Sequence, residues 1–365
     1  MKDSPSWVRS WLYSEPATTT SDYLRNHEPF RFVGRSVRNL FLPARGLAGD
    51  AGLAIGIEAT SVCNARCVFC AYRLGFRPAH TLSKSDFRRR ARGAVAFGFK
   101  HLELTPVTGE VFVHPEAVAL IREGKDSGFE SVRTYTNGIL IHHHGAREIL
   151  QSGLDALSIS FPGFDKTVYR EIYGVDKYDE FELSVRELLE MHSRIDSKVS
   201  VSFDPRTYLT EEQLSQSAFY TDVITPHLGE RVKLNKPNRF FDDWCGSIGQ
   251  RHMPMGISVS KVPIKSLAPL KRVHLCGHLF FIGILANGDV RLCNCRYDRA
   301  IQTPEDSLLI GNLDSSGGDV AEFLSAKQGL ISQVREDFQG GRLPAACRSC
   351  SFYAPVKITP GDALF

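Results

Sequence analysis

Short β-like runs alternate with helical patterns six times in the first two thirds of the chain. The runs span residues 53–59, 101–105, 130–135, 155–161, 198–203 and 231–235. Such alternation predicts parallel strands joined by right-handed crossovers. Six units form either a partial barrel or an open doubly wound sheet, and both carry their chemistry at the carboxyl ends of the strands. We therefore expect an α/β fold.

The helical patterns between these runs begin at polar or proline residues. Ser85 and Pro115 open the first two, residues 179–195 carry apolar side chains at helical spacing, and Thr210 opens a helix toward His227. The alternation stops after residue 235. We expect an N-terminal extension over residues 1–51, a barrel over residues 52–236, and a smaller cysteine-rich domain over residues 237–365, with a hairpin near residues 279–292 that turns at Asn287-Gly288.

Composition and charge exclude several classes of protein. The net charge of +3 on 365 residues is too small for the concentrated basic face of a nucleic-acid binder. The sequence has no apolar run near the roughly 20 residues that span a bilayer, and its first residues lack the apolar segment of a signal peptide. We therefore expect a cytoplasmic protein, in which clustered cysteines favour metal ligation over disulfides.

Three cysteines follow the first predicted strand with the spacing C-x3-C-x2-C. They are Cys63, Cys67 and Cys70. Three thiolates from one loop can converge on a cubane, and the fourth iron then has no protein ligand and can bind a cofactor or substrate. A zinc site would need a fourth ligand, for which His80 is the nearest candidate. Asn64 and Arg66 make the loop polar, which argues against buried apolar cysteines.

This spacing, with an aromatic residue before the last cysteine, resembles the signature of the radical S-adenosylmethionine (SAM) superfamily. The resemblance implies a partial (β/α)6 barrel in which the three cysteines hold a [4Fe-4S] cluster. The amino and carboxylate groups of SAM chelate the open iron, and the reduced cluster cleaves SAM into methionine and a 5′-deoxyadenosyl radical. Phe69 matches the aromatic position, which lies near the adenine.

Other positions match the same family at the predicted strand ends. After the second strand, Thr108-Gly109-Glu110 resembles the Gly-Gly-Glu motif that receives the methionyl ammonium, and Thr108 departs from its first glycine. Gly109 permits a close backbone approach and Glu110 can accept from an ammonium. Asn137 matches the pattern after the third strand. In the fourth, Ser158 and Ser160 share one side, and Ser160 is the predicted SAM contact because it lies nearer the carboxyl end.

Five further cysteines lie in the C-terminal part. They are Cys276, Cys293, Cys295, Cys347 and Cys350. The spacing from Cys276 through Gly288 to Cys293 resembles the start of a SPASM domain, whose shorter twitch form holds one auxiliary [4Fe-4S] cluster. The resemblance implies four ligands: Cys276, Cys293, Cys347 and Cys350. Cys295 faces the same side as Cys293 and is an alternative to it. A structural zinc ribbon is the competing interpretation.

Cys245 stands alone just past the sixth predicted strand, at the mouth of the expected barrel. A lone cysteine is often a small buried hydrophobic residue. Alternatively its weak S–H bond suits a thiol that donates a hydrogen atom to a substrate radical, as in some radical SAM epimerases.

The resemblance implies a radical SAM enzyme that takes electrons from a reductant such as flavodoxin or ferredoxin. No N-terminal segment has the pattern of a leader-peptide recognition domain, which favours a small polar substrate, a sugar or aminoglycoside-like compound of natural product biosynthesis, over a peptide. Quenching by Cys245 would give an epimerase, and electron loss to the auxiliary cluster a dehydrogenase. The alternative of another class is a non-catalytic iron–sulfur or zinc protein.

Overall fold

A computed structural model describes residues 54–239, 241, 243–254, 257 and 276–350. Residues 1–51, the predicted N-terminal extension, lie outside these ranges. Within them, nine strands form one sheet. In chain order the strands are β1 (Ala54–Ile57), β2 (His101–Glu103), β3 (Ser131–Thr136), β4 (Ala156–Phe161), β5 (Ser200–Pro205), β6 (Val232–Leu234), β7 (Ile282–Ile284), β8 (Asp289–Leu292) and β9 (Leu309–Asn312).

The sheet is parallel over its first six strands and is not closed. Its order is β6-β5-β4-β3-β2-β1-β7-β8-β9, and every neighbouring pair from β1 to β6 is parallel. The predicted α/β partial barrel is therefore confirmed. Each of the six parallel strands lies at the position that the sequence predicted, to within two residues at either end.

Helices cover one face of the sheet. They are α1 (Lys84–Phe97), α2 (Ala117–Asp126), α3 (Ile141–His144), α4 (Ala146–Leu150), α5 (Lys166–Tyr173), α6 (Tyr178–Arg194), α7 (Glu211–Ser215), α8 (Val320–Gln339) and α9 (Ala345–Arg348). The expectation of one helix from Thr210 to His227 is wrong. After α7 the chain continues as a π-helical turn, Tyr220–Ile224, and a 3₁₀ turn, Thr225–His227. Pro226 lacks the N–H that an α-helix would need there.

No helix in the described ranges has both the length and the apolar character needed to cross a membrane.

The predicted hairpin is present, and it extends the same sheet. Strands β7 and β8 pair antiparallel, and β7 pairs parallel with β1. Glycines allow this close packing, because a Cβ on Gly56 would lie 2.9 Å from the ring of Phe281, and one on Gly283 would lie 2.7 Å from Asn294 Oδ1. The domain boundary predicted near residue 237 separates the parallel strands from the hairpin, whereas the sheet continues across it.

The two faces of the sheet differ in polarity. Buried side chains such as Val132, Leu157 and Val201 pack in the core that includes residues of the helices. The alternate positions carry polar side chains in register, Tyr135 opposite Ser158 and Ser158 opposite Ser202. We call this the polar face, defined by Tyr135, Ser158, Ser202, Asp204 and Asn235. It is the face opposite the one whose side chains pack in the core with the helices.

Candidate active site

The first group of cysteines lies in the loop after β1. Helix α5 holds this loop through its last residues, because Arg66 N donates to Tyr173 O at 2.9 Å and Val68 N donates to Ile172 O at 2.8 Å. Gly174 keeps the contact close, since a Cβ there would lie 2.7 Å from Arg66 O. The loop conformation is thus fixed by the barrel and does not depend on its thiols alone.

The three thiols of this loop are neighbours. Burial raises the pKa of Cys67, and the adjacent thiols of Cys70 and Cys63 raise it further. Within the described ranges, no group of three or more Cys, His, Asp or Glu side chains surrounds a single ion position. Each thiol of a cubane ligates its own iron, so three partly buried thiols of one loop fit three corners of a [4Fe-4S] cluster.

Glu110 lies beside this group. Its carboxylate is buried and accepts from Thr136 Oγ1 at 2.6 Å, from Asn137 N at 2.7 Å and from Phe112 N at 3.2 Å. Burial raises the pKa of Glu110 to about 7. Its charge also raises the pKa of the Cys63 thiol, after the larger effect of burial. A buried carboxylate near a predicted cluster ligand can attract an ammonium group.

Gly109 is at a position that only glycine fits. Its φ of +141° is outside the range of L side chains, and a Cβ would lie 2.7 Å from Thr60 O. The loop that ends β2 therefore touches the segment that leads from β1 to Cys63. The close backbone approach expected of Gly109 is present, and it is made to the backbone of Thr60.

Asn137 contacts the cysteine loop. Its Nδ2 donates to Asn64 Oδ1 at 2.7 Å and lies 3.9 Å from Cys63 Sγ. Thus the turn after β3, the loop after β2 and the cysteine loop meet at one place, which the order of motifs predicts.

Phe69 and Ser160 both lie near Tyr173. The ring of Phe69 is 6.4 Å from that of Tyr173, and the guanidinium of Arg206 lies over it at 4.8 Å. The carbonyl of Ser160 accepts a hydrogen bond from the Tyr173 hydroxyl. Arg206 was not expected from the sequence. It follows β5 directly. Because ligands of α/β sheets bind at the carboxyl ends of the strands, this position was the available signal.

Thr108 is the predicted cofactor residue whose side chain is engaged elsewhere. It is buried, and its Oγ1 lies 3.0 Å from the Tyr297 hydroxyl and 3.4 Å from Arg77 Nη1. The hydroxyl that replaces the glycine of the family motif therefore bonds to other parts of this chain.

A cleft of about 470 Å³ opens beside the cysteine loop. Its lining includes Cys63, Asn64, Arg66 and Tyr72. This volume lies within the roughly 300–1,000 Å³ of small-molecule sites. The cleft reaches one of the predicted cluster ligands.

The C-terminal cysteines form a second group. Burial raises the pKa of Cys347, and the nearby thiols of Cys293, Cys350 and Cys276 raise it further. Cys295 has the same neighbours, and its backbone N donates to Cys293 Sγ at 3.5 Å. All four predicted ligands are thus together, and Cys293 and Cys295 both remain candidates. Arg291 is buried beside them, where its Nη1 donates to Cys293 O at 2.7 Å.

Cys245 belongs to this second group. The pKa of the Cys245 thiol is raised, mainly by a hydrogen bond with Cys350 and secondly by burial. The turn that carries it is tight, since Trp244, Cys245 and Gly246 all have positive φ. Sequence reasoning placed Cys245 at the barrel mouth but missed this contact, because no local pattern joins it to Cys350.

Comparison with known proteins agrees with this arrangement. Residues 57–203 match the sequence profile of the Radical SAM superfamily. Residues 57–203 are a radical SAM domain. The match begins at the end of β1 and reaches into β5, so it includes the cysteine loop, Glu110, Asn137 and Ser160. Radical SAM proteins use SAM together with a [4Fe-4S] cluster.

Related chains cover different shares of this one. A protein of Sulfurisphaera tokodaii named probable GTP 3′,8-cyclase is 26% identical over 266 residues, which is 67% of this chain and 82% of the relative. A protein of the same name from Saccharolobus solfataricus is 30% identical over 135 residues, 37% of this chain and 43% of the relative. The structure of Streptococcus suis SuiB bound to precursor peptide SuiA aligns with a TM-score of 0.51 at 14% identity, over 93% of this chain and 78% of SuiB, which shows the fold.

Proposed function

We propose that this chain binds SAM at the carboxyl ends of β1 to β4 and abstracts a hydrogen atom from a small polar substrate. One observation carries the proposal: Cys63, Glu110 and Asn137 meet at neighbouring strand ends, next to the polar face. The roles follow from the chemistry of the side chains. Cys63, Cys67 and Cys70 hold the cluster, which supplies the electron that cleaves SAM. Glu110 accepts from the ammonium of SAM.

The polar face is the proposed substrate surface. Ser158 Oγ and Ser202 Oγ are 2.8 Å apart, Ser202 Oγ donates to Asp204 Oδ2 at 3.3 Å, and Asn235 Nδ2 donates to Asp204 Oδ1 at 2.7 Å. Tyr135 is about half exposed at the other end of the row. Hydroxyls and a carboxylate both accept from the hydroxyl and amino groups of a sugar or aminoglycoside-like compound.

Epimerisation is the first proposed outcome. In it, the partly exposed thiol of Cys245 gives a hydrogen atom to the substrate radical on the face opposite the abstraction, and an electron from the reductant with a proton from solvent restores the thiol. A thiol suits this step because its S–H bond is weaker than the C–H bond that forms.

Dehydrogenation is the second candidate, and the contact between Cys245 and Cys350 favours it. A thiol bonded to a predicted ligand belongs to the auxiliary site and not to the polar face. The substrate radical would then lose an electron to an oxidised cluster held by the C-terminal thiols, and a proton to solvent. The convergence of the C-terminal thiols supports an auxiliary [4Fe-4S] cluster in either case. A flavodoxin or ferredoxin is the proposed reductant.

GTP is a further substrate to test, because relatives that match 67% and 37% of this chain carry the name probable GTP 3′,8-cyclase. Arg66 and Arg73 line the cleft beside the cysteine loop, and guanidinium groups bind phosphates well.

Removing the first three thiols tests the central proposal. Replacing Cys63, Cys67 and Cys70 with alanine should remove about four irons per chain and abolish 5′-deoxyadenosine formation from SAM under dithionite. The variant should keep the electron paramagnetic resonance signal of the C-terminal cluster. Continued 5′-deoxyadenosine release would contradict the proposal, and zinc in place of iron in the variant would reassign the C-terminal group.

Solvent deuterium distinguishes the two outcomes. An epimerase with a thiol donor should place one deuterium from buffer in its product, and Cys245→Ser should stop product formation while SAM cleavage continues. A dehydrogenase product carries none. Iron content of Cys245→Ser is the control, because a loss of iron would make Cys245 a ligand.

A further inference from the structure

A buried ion pair joins three loops above the site. Glu58 follows β1 directly, and its side chain and that of Arg77 are 1% and 4% exposed. Arg77 Nη2 donates to Glu58 Oε1 at 2.5 Å and Nη1 donates to Oε2 at 3.0 Å. The same carboxylate accepts from Val107 N at 3.1 Å and Ala286 N at 3.2 Å. A buried carboxylate bonded in this way fixes the groups around it, because each lost bond leaves a buried charge unsatisfied.

Arg77 and Tyr297 then hold Thr108 from two sides. Arg77 Nη1 donates to Thr108 O at 3.3 Å, and its Nε donates to Gln302 Oε1 at 3.2 Å. Thr108 Oγ1 bonds to the Tyr297 hydroxyl at 3.0 Å. Gly109 and Glu110 follow Thr108 directly, so these contacts restrain the part of the loop that would hold the SAM ammonium.

Tyr297 connects this loop to the second group of thiols. It is 1% exposed and lies two residues after Cys295. Its ring packs edge-on against Trp244 at 5.7 Å, and Trp244 precedes Cys245. The guanidinium of Arg296 also packs on Trp244, 4.1 Å from the centre of its ring. Thr108 thus bonds to a residue that is packed among the neighbours of the C-terminal thiols.

We propose that the Thr108–Tyr297 hydrogen bond couples the SAM loop to the C-terminal thiol loop, and that Thr108 is a positioning residue. The inference rests on the proposed function, since it takes SAM to bind at Glu110. A glycine at position 108 could not make this hydrogen bond, so the loop after β2 would move out of the SAM-binding conformation more often. The apparent affinity of a ligand falls with the fraction of protein in that conformation, so the hydrogen bond strengthens SAM binding without touching SAM.

A double-mutant cycle tests the coupling. Tyr297→Phe and Thr108→Val each remove one partner of the bond, and each should weaken SAM binding to the reconstituted full chain by about two- to tenfold, the effect of one hydrogen bond. The double variant should be no weaker than the weaker single, because both changes remove the same bond. Equilibrium dialysis with SAM alone, without substrate, measures all four affinities.

Two matched variants control for destabilisation. Tyr178 is also buried, and its hydroxyl donates to Phe164 O at 3.0 Å, so Tyr178→Phe loses a similar bond away from the loop. It should bind SAM as the wild type does. Thr108→Ser keeps the hydroxyl and should retain wild-type affinity even if Thr108→Val folds poorly.

Hydrogen exchange separates coupling from loop stability alone. In the wild type, SAM should slow amide exchange in residues 105–110 and 295–302 together, whereas in Tyr297→Phe it should slow only the first segment. Unchanged SAM affinity in Tyr297→Phe, additive effects in the cycle, or protection of 295–302 that survives Tyr297→Phe would each overturn the inference. A wild-type chain that binds no SAM would overturn the proposed function and this inference with it.

Discussion

At Gly109 a single methyl group would test how closely the loops after β1 and β2 must approach. An alanine side chain there would meet Thr60 O at 2.7 Å and would hold a φ of +141° that costs about 1–3 kcal/mol. We expect Gly109→Ala to weaken SAM binding at least tenfold, because the loop must shift and move Glu110 with it.

The matched control is Gly98→Ala. Gly98 has a φ of +114° with no atom within 4 Å of a Cβ. That variant shares the backbone strain without the collision, so it should lose stability in denaturant and keep SAM affinity. Equal SAM affinity in the two variants would show that the approach at Gly109 does not matter.

Glu110 should make SAM binding depend on pH. Burial raises its pKa to about 7. The carboxylate that attracts an ammonium is present above that pH and becomes neutral as pH falls through it, while the ammonium stays charged. SAM affinity should therefore fall between about pH 7.5 and 6. Glu110→Gln has no proton to gain, so its weaker affinity should be flat over this range, and a parallel slope would assign the dependence to another group.

Some residues of the site could be predicted from the sequence, and others could not. The cysteine loop, Glu110 and Asn137 could be placed together because each follows a strand of a parallel sheet. The carboxyl ends of neighbouring parallel strands lie at the same edge. Glu58 and Arg77 gave no signal, since a charged residue after a strand is common and its partner is set only by packing. The contact of Cys245 with Cys350 likewise depends on the path of the whole C-terminal part.

Among the elements, α1 and α8 meet at a glycine. A Cβ on Gly93 would lie 3.0 Å from Val320 Cβ, whereas Gly329 in α8 has open space around it. Alanine stabilises an exposed helix position by about 1 kcal/mol relative to glycine. Gly329→Ala should therefore raise the free energy of unfolding by about that amount. Gly93→Ala should gain less or lose stability. Urea unfolding measures both, and an equal gain would mean that α8 does not pack closely on α1.

Elements with a clear period were predictable, and those without one were not. Buried and exposed residues alternate along strands β3 to β5, and buried residues recur at helical spacing in α6. The break after α7 was missed because Thr210 signals only a start, while the end depends on Pro226 and on the packing of Val223 and Ile224.

At the scale of the whole molecule, β1 is an interior strand only when the hairpin is present. Strand β7 covers its free side, and Ala286 N bonds to the buried Glu58. A chain that ends at residue 239 would expose that side of β1 and leave Glu58 without this donor. We expect this fragment to bind a fluorescent apolar dye and to aggregate, while the full chain does neither. A soluble fragment that binds SAM would show that the chain up to residue 239 folds without the hairpin.

The pairing of β1 with β7 also sets an order of events during synthesis. Ile55 pairs with Ile282. Strand β1 is therefore synthesised long before β7, the later of its two neighbouring strands. At about 5–20 residues per second, the wait is roughly 10 to 50 seconds. During it β1 offers unpaired amides to any other extended chain. Yield in a foreign host should therefore depend on translation rate and on chaperones that cover a strand edge, more than on the final stability of the folded protein.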